Sequence, residues 1–318
     1  MRKLESKGPR RMLPFKLVYH EGYDLHLGAH VFPSQKYRLV QEALLRQSLA
    51  APEDFLRPEP AADEDILLVH SREWVRKLKS GRLSAVEMIR LEIPWSQEMI
   101  DACWLAAGGS ILAARRALGD GFAANLAGGL HHAYPDHGEG FCAIHDVAVA
   151  IRRMQRDGAI KKAMIVDTDV HHGNGTAAIF GGDEDVYTLS IHQENNYPYP
   201  KPPSTLDLHL ADGTGDDDYL AILEKGLLHA FQEFSPELLF YIGGADPFRE
   251  DQLGGLALTI PGLAQRDAMV FDQARRHCAA VAITLAGGYA RDLKDTVQIH
   301  VNTILAAREI ATRRPLAS

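Results

Sequence analysis

AMIVDTDVHHGNG, residues 163–175, passes without a break from an apolar run into a cluster of aspartates and histidines that ends in glycines. The apolar part shows no polar alternation, which is the pattern of a strand buried on both faces of a parallel sheet. Its polar groups follow at the carboxyl end, where parallel sheets place their binding crevices. Three other segments repeat the arrangement. FAANLAG from residue 122 leads into Gly129-Leu130-His131-His132, LLFYI from 238 into Gly243-Gly244-Ala245-Asp246, and VAITLA from 281 into Gly287-Gly288-Tyr289.

KLVY near residue 17 and VYTLSI from 186 read as two further strands. Helical patterns fill the intervals at 34–49, 96–118, 145–157, 217–234, 262–279 and 290–311. Ser96 offers a helix start, and Gly119-Asp120-Gly121 a stop before the next strand. This alternation predicts a single α/β domain, with a central, mostly parallel sheet flanked by helices on both faces. The stretches 51–64 and 193–216 read as loops, because motif-bearing strands resume on either side of each. A basic extension, expected to be flexible, occupies residues 1–14, and the domain runs from 15 to 318.

The chain has 318 residues, 46% apolar and 24% charged, which suffices for one large core. Its 34 basic residues against 42 acidic ones leave a formal charge of −8, so no broad basic face for a nucleic-acid backbone is expected. Cys103, Cys142 and Cys278 are too few and too scattered for a disulfide framework and suit a reducing compartment. No apolar run approaches the ~20 residues of a membrane span. The N-terminus lacks the apolar segment of a secretory signal. The expectation is a soluble, cytoplasmic protein that contacts neither membrane nor nucleic acid.

Asp169 and His171 lie two apart, on one side of an extended chain, so both can reach a single point. A carboxylate and an imidazole are natural ligands for a divalent metal, and Asp246 can supply a third. Three protein ligands leave a position open for water, the arrangement of a catalytic rather than a structural site. For one Asp-x-His alone, a hydrogen-bonded turn would be the plainer reading; Asp246 and the histidine pair shift the balance. His131 and His132 can carry protons if their partners set their charges apart. Asp167 would hold one as imidazolium, and Asn174 would orient the other without charging it. Tyr289, after two glycines, has a phenol free to donate to an oxyanion. Cys142 has no base nearby in sequence and reads as a small buried hydrophobe.

GGLHHAYPDHGEGFC (128–142), DTDVHHGNG (167–175), SIH (190–192), GGADP (243–247) and AGGY (286–289) together resemble the zinc-dependent histone deacetylase family, with its arginase/deacetylase-type fold. The resemblance extends from VYHEGYDLHLGAHVFPSQKY (18–37) to the helix after Tyr289. The short chain, Tyr197-Pro198 and LGGLALT (253–259) are most similar to the class IV branch, and Asn174 stands where class I has aspartate.

The resemblance implies one catalytic Zn²⁺ held by Asp169, His171 and Asp246. It implies His131 and His132 as the proton-transfer pair, backed by Asp167 and Asn174, and Tyr289 as the group that polarises the carbonyl. Gly140 and Phe141 would line an acyl-lysine tunnel, with Tyr197 opposite and Leu253 at the rim. A structural K⁺ would sit on the backbone oxygens of Asp167, Asp169 and His171, with Ser190 and Ile191. The implied reaction removes an acyl group, acetyl or longer, from the ε-amine of an acylated lysine by attack of an activated water.

An acetylated polyamine or another small amide presents the same bond and is the alternative substrate. An arginase-like dimanganese hydrolase would need a further aspartate where Gly173 stands. A catalytically weak acyl-lysine binding protein would be expected to lack a ligand or Tyr289, and neither is missing.

Overall fold

The computed structural model describes residues 12–277 and 279–313. The predicted N-terminal extension therefore lies outside the described residues up to residue 11, and so does Cys278. The part of that extension that is described packs against the domain. Leu13 is buried, and the amides of Met12 and Leu13 both meet the Asp54 carboxylate.

Eight strands form one sheet. They are β1 (Lys16–Val18), β2 (Phe55–Leu56), β3 (Phe122–Asn125), β4 (Ala163–Asp167), β5 (Val186–Gln193), β6 (Leu206–Leu210), β7 (Leu238–Ile242) and β8 (Ala280–Thr284). Their order across the sheet is β2-β1-β3-β8-β7-β4-β5-β6. Every adjacent pair is parallel. The four strands whose ends carry polar motifs, β3, β8, β7 and β4, are thus consecutive and central. Their carboxyl ends open onto one crevice.

Ten α-helices are among the elements of the described chain. They are α1 (Lys36–Arg46), α2 (Asp63–Ile66), α3 (Arg72–Ser80), α4 (Ala85–Leu91), α5 (Gln97–Asp120), α6 (Asp146–Arg156), α7 (Asn174–Phe180), α8 (Asp216–Glu233), α9 (Ile260–Arg276) and α10 (Leu293–Thr312). Strand residues alternate between two apolar cores. Met164, Val166, Leu239, Tyr241 and Ile283 face one that α1, α8, α9 and α10 close. Ala163, Ile165, Leu238, Phe240 and Ala282 face the other, closed by α3, α5 and α6. Each fully buried Leu, Ile or Phe in these layers contributes about 1.5–3 kcal/mol. Both faces of the sheet are covered, as the unbroken apolar strands require.

The long helix α5 follows its end signals. Ser96 Oγ accepts from the Met99 amide at 3.0 Å, and Gly121 leaves the helix at φ 83°, donating to Ala117 O. The stretches expected to be loops each hide an edge strand. β2 is only two residues long, too short for a periodic signal. β6, LDLHL, has one partner and is half exposed, so it alternates instead of running apolar. The short helices α2, α3, α4 and α7 also lie where the sequence pattern places none. Among the described residues, no helix is long and apolar enough to cross a membrane.

Candidate active site

Asp167 ends β4, in register with Ile242 of β7 and Ser190 of β5. The chain then bends instead of continuing extended, and the bend carries Asp169 and His171. Asp246 comes from the loop after β7. One donor atom from each of Asp169, His171 and Asp246 lies within 4.8 Å of the other two. His171 Nδ1 is 3.0 Å from Asp169 Oδ1 and 3.5 Å from Asp246 Oδ2. All three residues are buried, and Asp246 Oδ2 has no hydrogen-bond partner among the described residues.

Burial and the Asp169 charge push the Asp246 carboxyl up to about 7. Burial opposes charge on His171, yet Asp169 and Asp246 outweigh it and raise the imidazole to about 10. Two buried carboxylates crowded onto one imidazole, with an oxygen left over, are costly unless a cation completes them. The backbone leaves room for that cluster. A Cβ on Gly287 would stand 2.0 Å from Asp246 Oδ2 and 2.4 Å from Asp169 Oδ2, so only glycine fits there. This donor set fits a divalent metal.

The histidine pair follows β3. His131 Nδ1 lies 2.6 Å from Asp167 Oδ2, and His132 Nδ1 lies 2.6 Å from Asn174 Oδ1. The two rings are 4.1 Å apart. Burial works against charge on His131, but Asp167 and Asp169 overcome it and raise its pKa to about 9. Burial lowers His132 far below the ordinary imidazole value, and the neighbouring charges of His131 and His171 lower it further. Adjacent imidazoles in one pocket are therefore shifted in opposite directions, His131 toward its charged form and His132 toward its neutral one.

Above them a cleft of about 250 Å³ is lined by His132, Gly140, Phe141, His171, Tyr197, Leu253 and Tyr289, together with Glu92 and Asn196. Gly140 (φ 51°) and Phe141 (φ 68°) occupy the centre of a two-residue turn closed by Glu139 and Cys142. Positive φ at both positions is the hairpin geometry that favours glycine, and for Phe141 it carries a cost of order 1–2 kcal/mol. That strain sets the phenyl ring against the cleft, 6.1 Å from Tyr289. A Cβ at Gly140 would meet His132 Cδ2 at 2.7 Å. Burial pushes the Cys142 thiol well above its ordinary pKa, and its Sγ donates to Gly140 O, so it packs as a neutral thiol.

Four residues of this site escape a reading of the sequence. Glu139 Oε1 accepts from Asn174 Nδ2 at 2.9 Å and from the Tyr197 hydroxyl at 2.7 Å, joining a histidine partner to the tunnel wall. Asp251 accepts from the Tyr289 amide at 2.7 Å and from the amides of Leu253 and Gly254. Lys36 is fully buried, donates to Ala286 O, and lies 5.8 Å from the Tyr289 ring centre. Burial draws its pKa down to about 8 against the pull of Asp246, Asp169 and Asp251. Arg266, also fully buried, donates to Gly244 O at 2.8 Å and Thr168 O at 3.2 Å, fixing the two loops that carry the carboxylate ligands. Glu139 had a signal, a carboxylate inside the GEGFC segment. The others had none, because one charged residue on an amphipathic helix or in a loop reads as solvated.

Residues 30–304 match the histone deacetylase domain. The chain is 39% identical to an uncharacterized protein of Picosynechococcus sp., over 93% of this chain and 99% of that one. It is 31% identical to histone deacetylase 2 of Arabidopsis thaliana, covering 89% of this chain and 77% of the relative. Among solved structures, a histone deacetylase homologue complexed with SAHA superposes with a TM-score of 0.80 at 25% identity, covering 94% of this chain and 84% of that one.

Proposed function

Because the chain belongs to the histone deacetylase family and is a hydrolase of amide bonds, we propose that it removes a short acyl group from an acylated lysine side chain. The observation that carries this reading is the convergence, at four central strand ends, of Asp169, His171 and Asp246 with Tyr289 and a histidine pair whose Nδ1 atoms meet a carboxylate and a neutral amide oxygen. Asp169, His171 and Asp246 would hold Zn²⁺, which when bound polarises the amide carbonyl and acidifies water.

The protein's own residues perform the proton transfers. With Asn174 Oδ1 accepting from Nδ1–H, His132 keeps its Nε2 lone pair and is ready to take a proton from the attacking water. His131, held as imidazolium by Asp167, gives its proton to the leaving amine, and the proton taken up by His132 restores the charge of the pair. Tyr289, its phenol kept protonated by burial and nearby carboxylates, donates to the oxyanion as charge develops. Phe141 and Tyr197 enclose the aliphatic stem. A structural K⁺ at Asp167, Asp169, His171, Ser190 and Ile191 accords with the register that sets Asp167 beside Ser190. Asn174 and LGGLALT support kinship with the class IV branch.

Beyond the cleft, the spaces next to the histidines and next to Tyr37 measure only about 20 and 30 Å³. That is room for one or two water-sized groups, which favours acetyl over long acyl chains. A second substrate, an acetylated polyamine, is favoured by Glu92 in the cleft wall, a carboxylate suited to a distal ammonium. Comparing kcat/KM across acyl-lysine peptides of increasing chain length and acetylated polyamines tests both readings. Acetyl-lysine should lead, and the absence of turnover on every amide would overturn the assignment.

A further inference from the structure

His172 directly follows the ligand His171, yet it belongs to a different cluster. One donor atom from each of His172, His192 and Asp207 lies within 4.8 Å of the other two, the same convergence found for Asp169, His171 and Asp246. The backbone brings the group together. In the β5–β6 register Ser190 pairs with Asp207 and His192 with His209. The two-residue period of a strand then puts all four side chains on one face. His172 reaches that face from the loop after β4. His172 and His192 are both fully buried.

The hydrogen bonding is incomplete in a specific way. His172 Nε2 is 3.2 Å from Asp207 Oδ1, but that oxygen accepts no hydrogen bond, and His172 Nδ1 has no partner among the described residues. The two atoms are close without being aligned on each other. Asp246 Oδ2 shows the same feature beside His171 Nδ1 in the catalytic cluster. The nearest competing partner of His172 Nε2 is the Ser204 hydroxyl at 3.3 Å, which leaves Asp207 Oδ1 unsatisfied.

Supporting groups are already in place. Asp207 Oδ2 accepts from the Ser204 amide at 2.9 Å, and His192 Nδ1 meets Ser190 Oγ at 2.9 Å, as ligands oriented by outer partners do. His192 Nε2 lies 3.0 Å from His209 Nδ1. Donors on a tetrahedral zinc, with bonds of about 2.0–2.1 Å, stand roughly 3.3 Å apart.

We propose that His172, His192 and Asp207, with His209 as a fourth donor, bind a second divalent cation of the zinc type at the sheet edge. Imidazole and carboxylate donors suit zinc, and four protein ligands make a closed, structural site. The ion ties edge strand β6 and the end of β5 to the loop that carries His171. It shares no ligand with the catalytic cluster.

The test is a metal count on the full chain, stripped with chelator, reloaded with excess Zn²⁺, desalted, and checked for native circular dichroism. Wild type should hold two zinc ions per chain. Asp246→Ala, His192→Gln and Asp207→Asn should each hold one, and Asp246→Ala/His192→Gln none. Asp207→Asn, a near-isosteric change on an edge strand, keeps the count decisive if His192→Gln does not fold. One zinc in wild type with none in Asp246→Ala would overturn the proposal. So would two retained by both His192→Gln and Asp207→Asn.

Discussion

Asn174 turns its amide oxygen to His132 Nδ1 at 2.6 Å. Its amide nitrogen donates at 2.9 Å to Glu139, which also accepts the Tyr197 hydroxyl. Glu139 therefore fixes which way Asn174 faces, and through it the tautomer of His132. Removing the acceptor leaves two partly buried donors unmet, at about 1–3 kcal/mol. Glu139→Ala should lower kcat by roughly ten- to a hundredfold. Glu139→Gln keeps a carbonyl that can accept from both donors and should stay within about threefold of wild type. Steady-state kinetics on the two variants checks the difference.

Tyr289 separates catalysis from binding. Its phenol lines the cleft beside His132 and His171 but is no ligand. Loss of one oxyanion donor typically costs about 10²–10³ in kcat. Tyr289→Phe should keep its metal and bind a hydroxamate within about tenfold of wild type, while turning over at least ~100-fold more slowly. Metal content, inhibitor affinity and kcat measured on the same sample decide this.

Arg266 and Asp267 form a fully buried ion pair beneath the ligand loops. Asp267 also accepts from Tyr241 and Thr303. Arg266→Met leaves that carboxylate without its cation, at about 3–5 kcal/mol. At about 1.5 °C per kcal/mol for a domain of this size, a calorimetric scan should show Tm lower by roughly 4–8 °C. Activity should fall as well, since Arg266 holds Thr168 O and Gly244 O in place.

His70 sets part of the acid sensitivity. Its Nε2 accepts from the His145 amide and its Nδ1 faces Tyr134 O, so the neutral ring is fully used. Burial lowers its pKa to about 4, against backbone acceptors that pull the other way. The folded value lies below the unfolded one of about 6.5, so its contribution is complete above pH 6.5 and falls as the pH drops toward 4. At pH 5 the loss is about 2 kcal/mol, from roughly 1.5 units at 1.36 kcal/mol each. His70→Gln can make both hydrogen bonds and does not titrate. Its Tm should therefore fall less than that of wild type between pH 7 and 5.

Unbroken apolar runs and the polar groups after them specify a parallel α/β sheet and its four central strands, because burial on both faces writes itself into neighbouring residues. Caps such as Ser96 and stops such as Gly121 are equally local, which is why the predicted and observed ends of α5 nearly coincide. The candidate ligands, the histidine pair and Tyr289 stand at strand ends, so their convergence follows once the strands are parallel. The edge strands β2 and β6 escape, since one is two residues long and the other has a single neighbour. Lys36, Arg266, Glu139 and the His172–His192–Asp207 cluster escape for a further reason. Whether a charged side chain is solvated, or buried against a distant carbonyl or carboxylate, depends on partners that only the folded chain brings within reach.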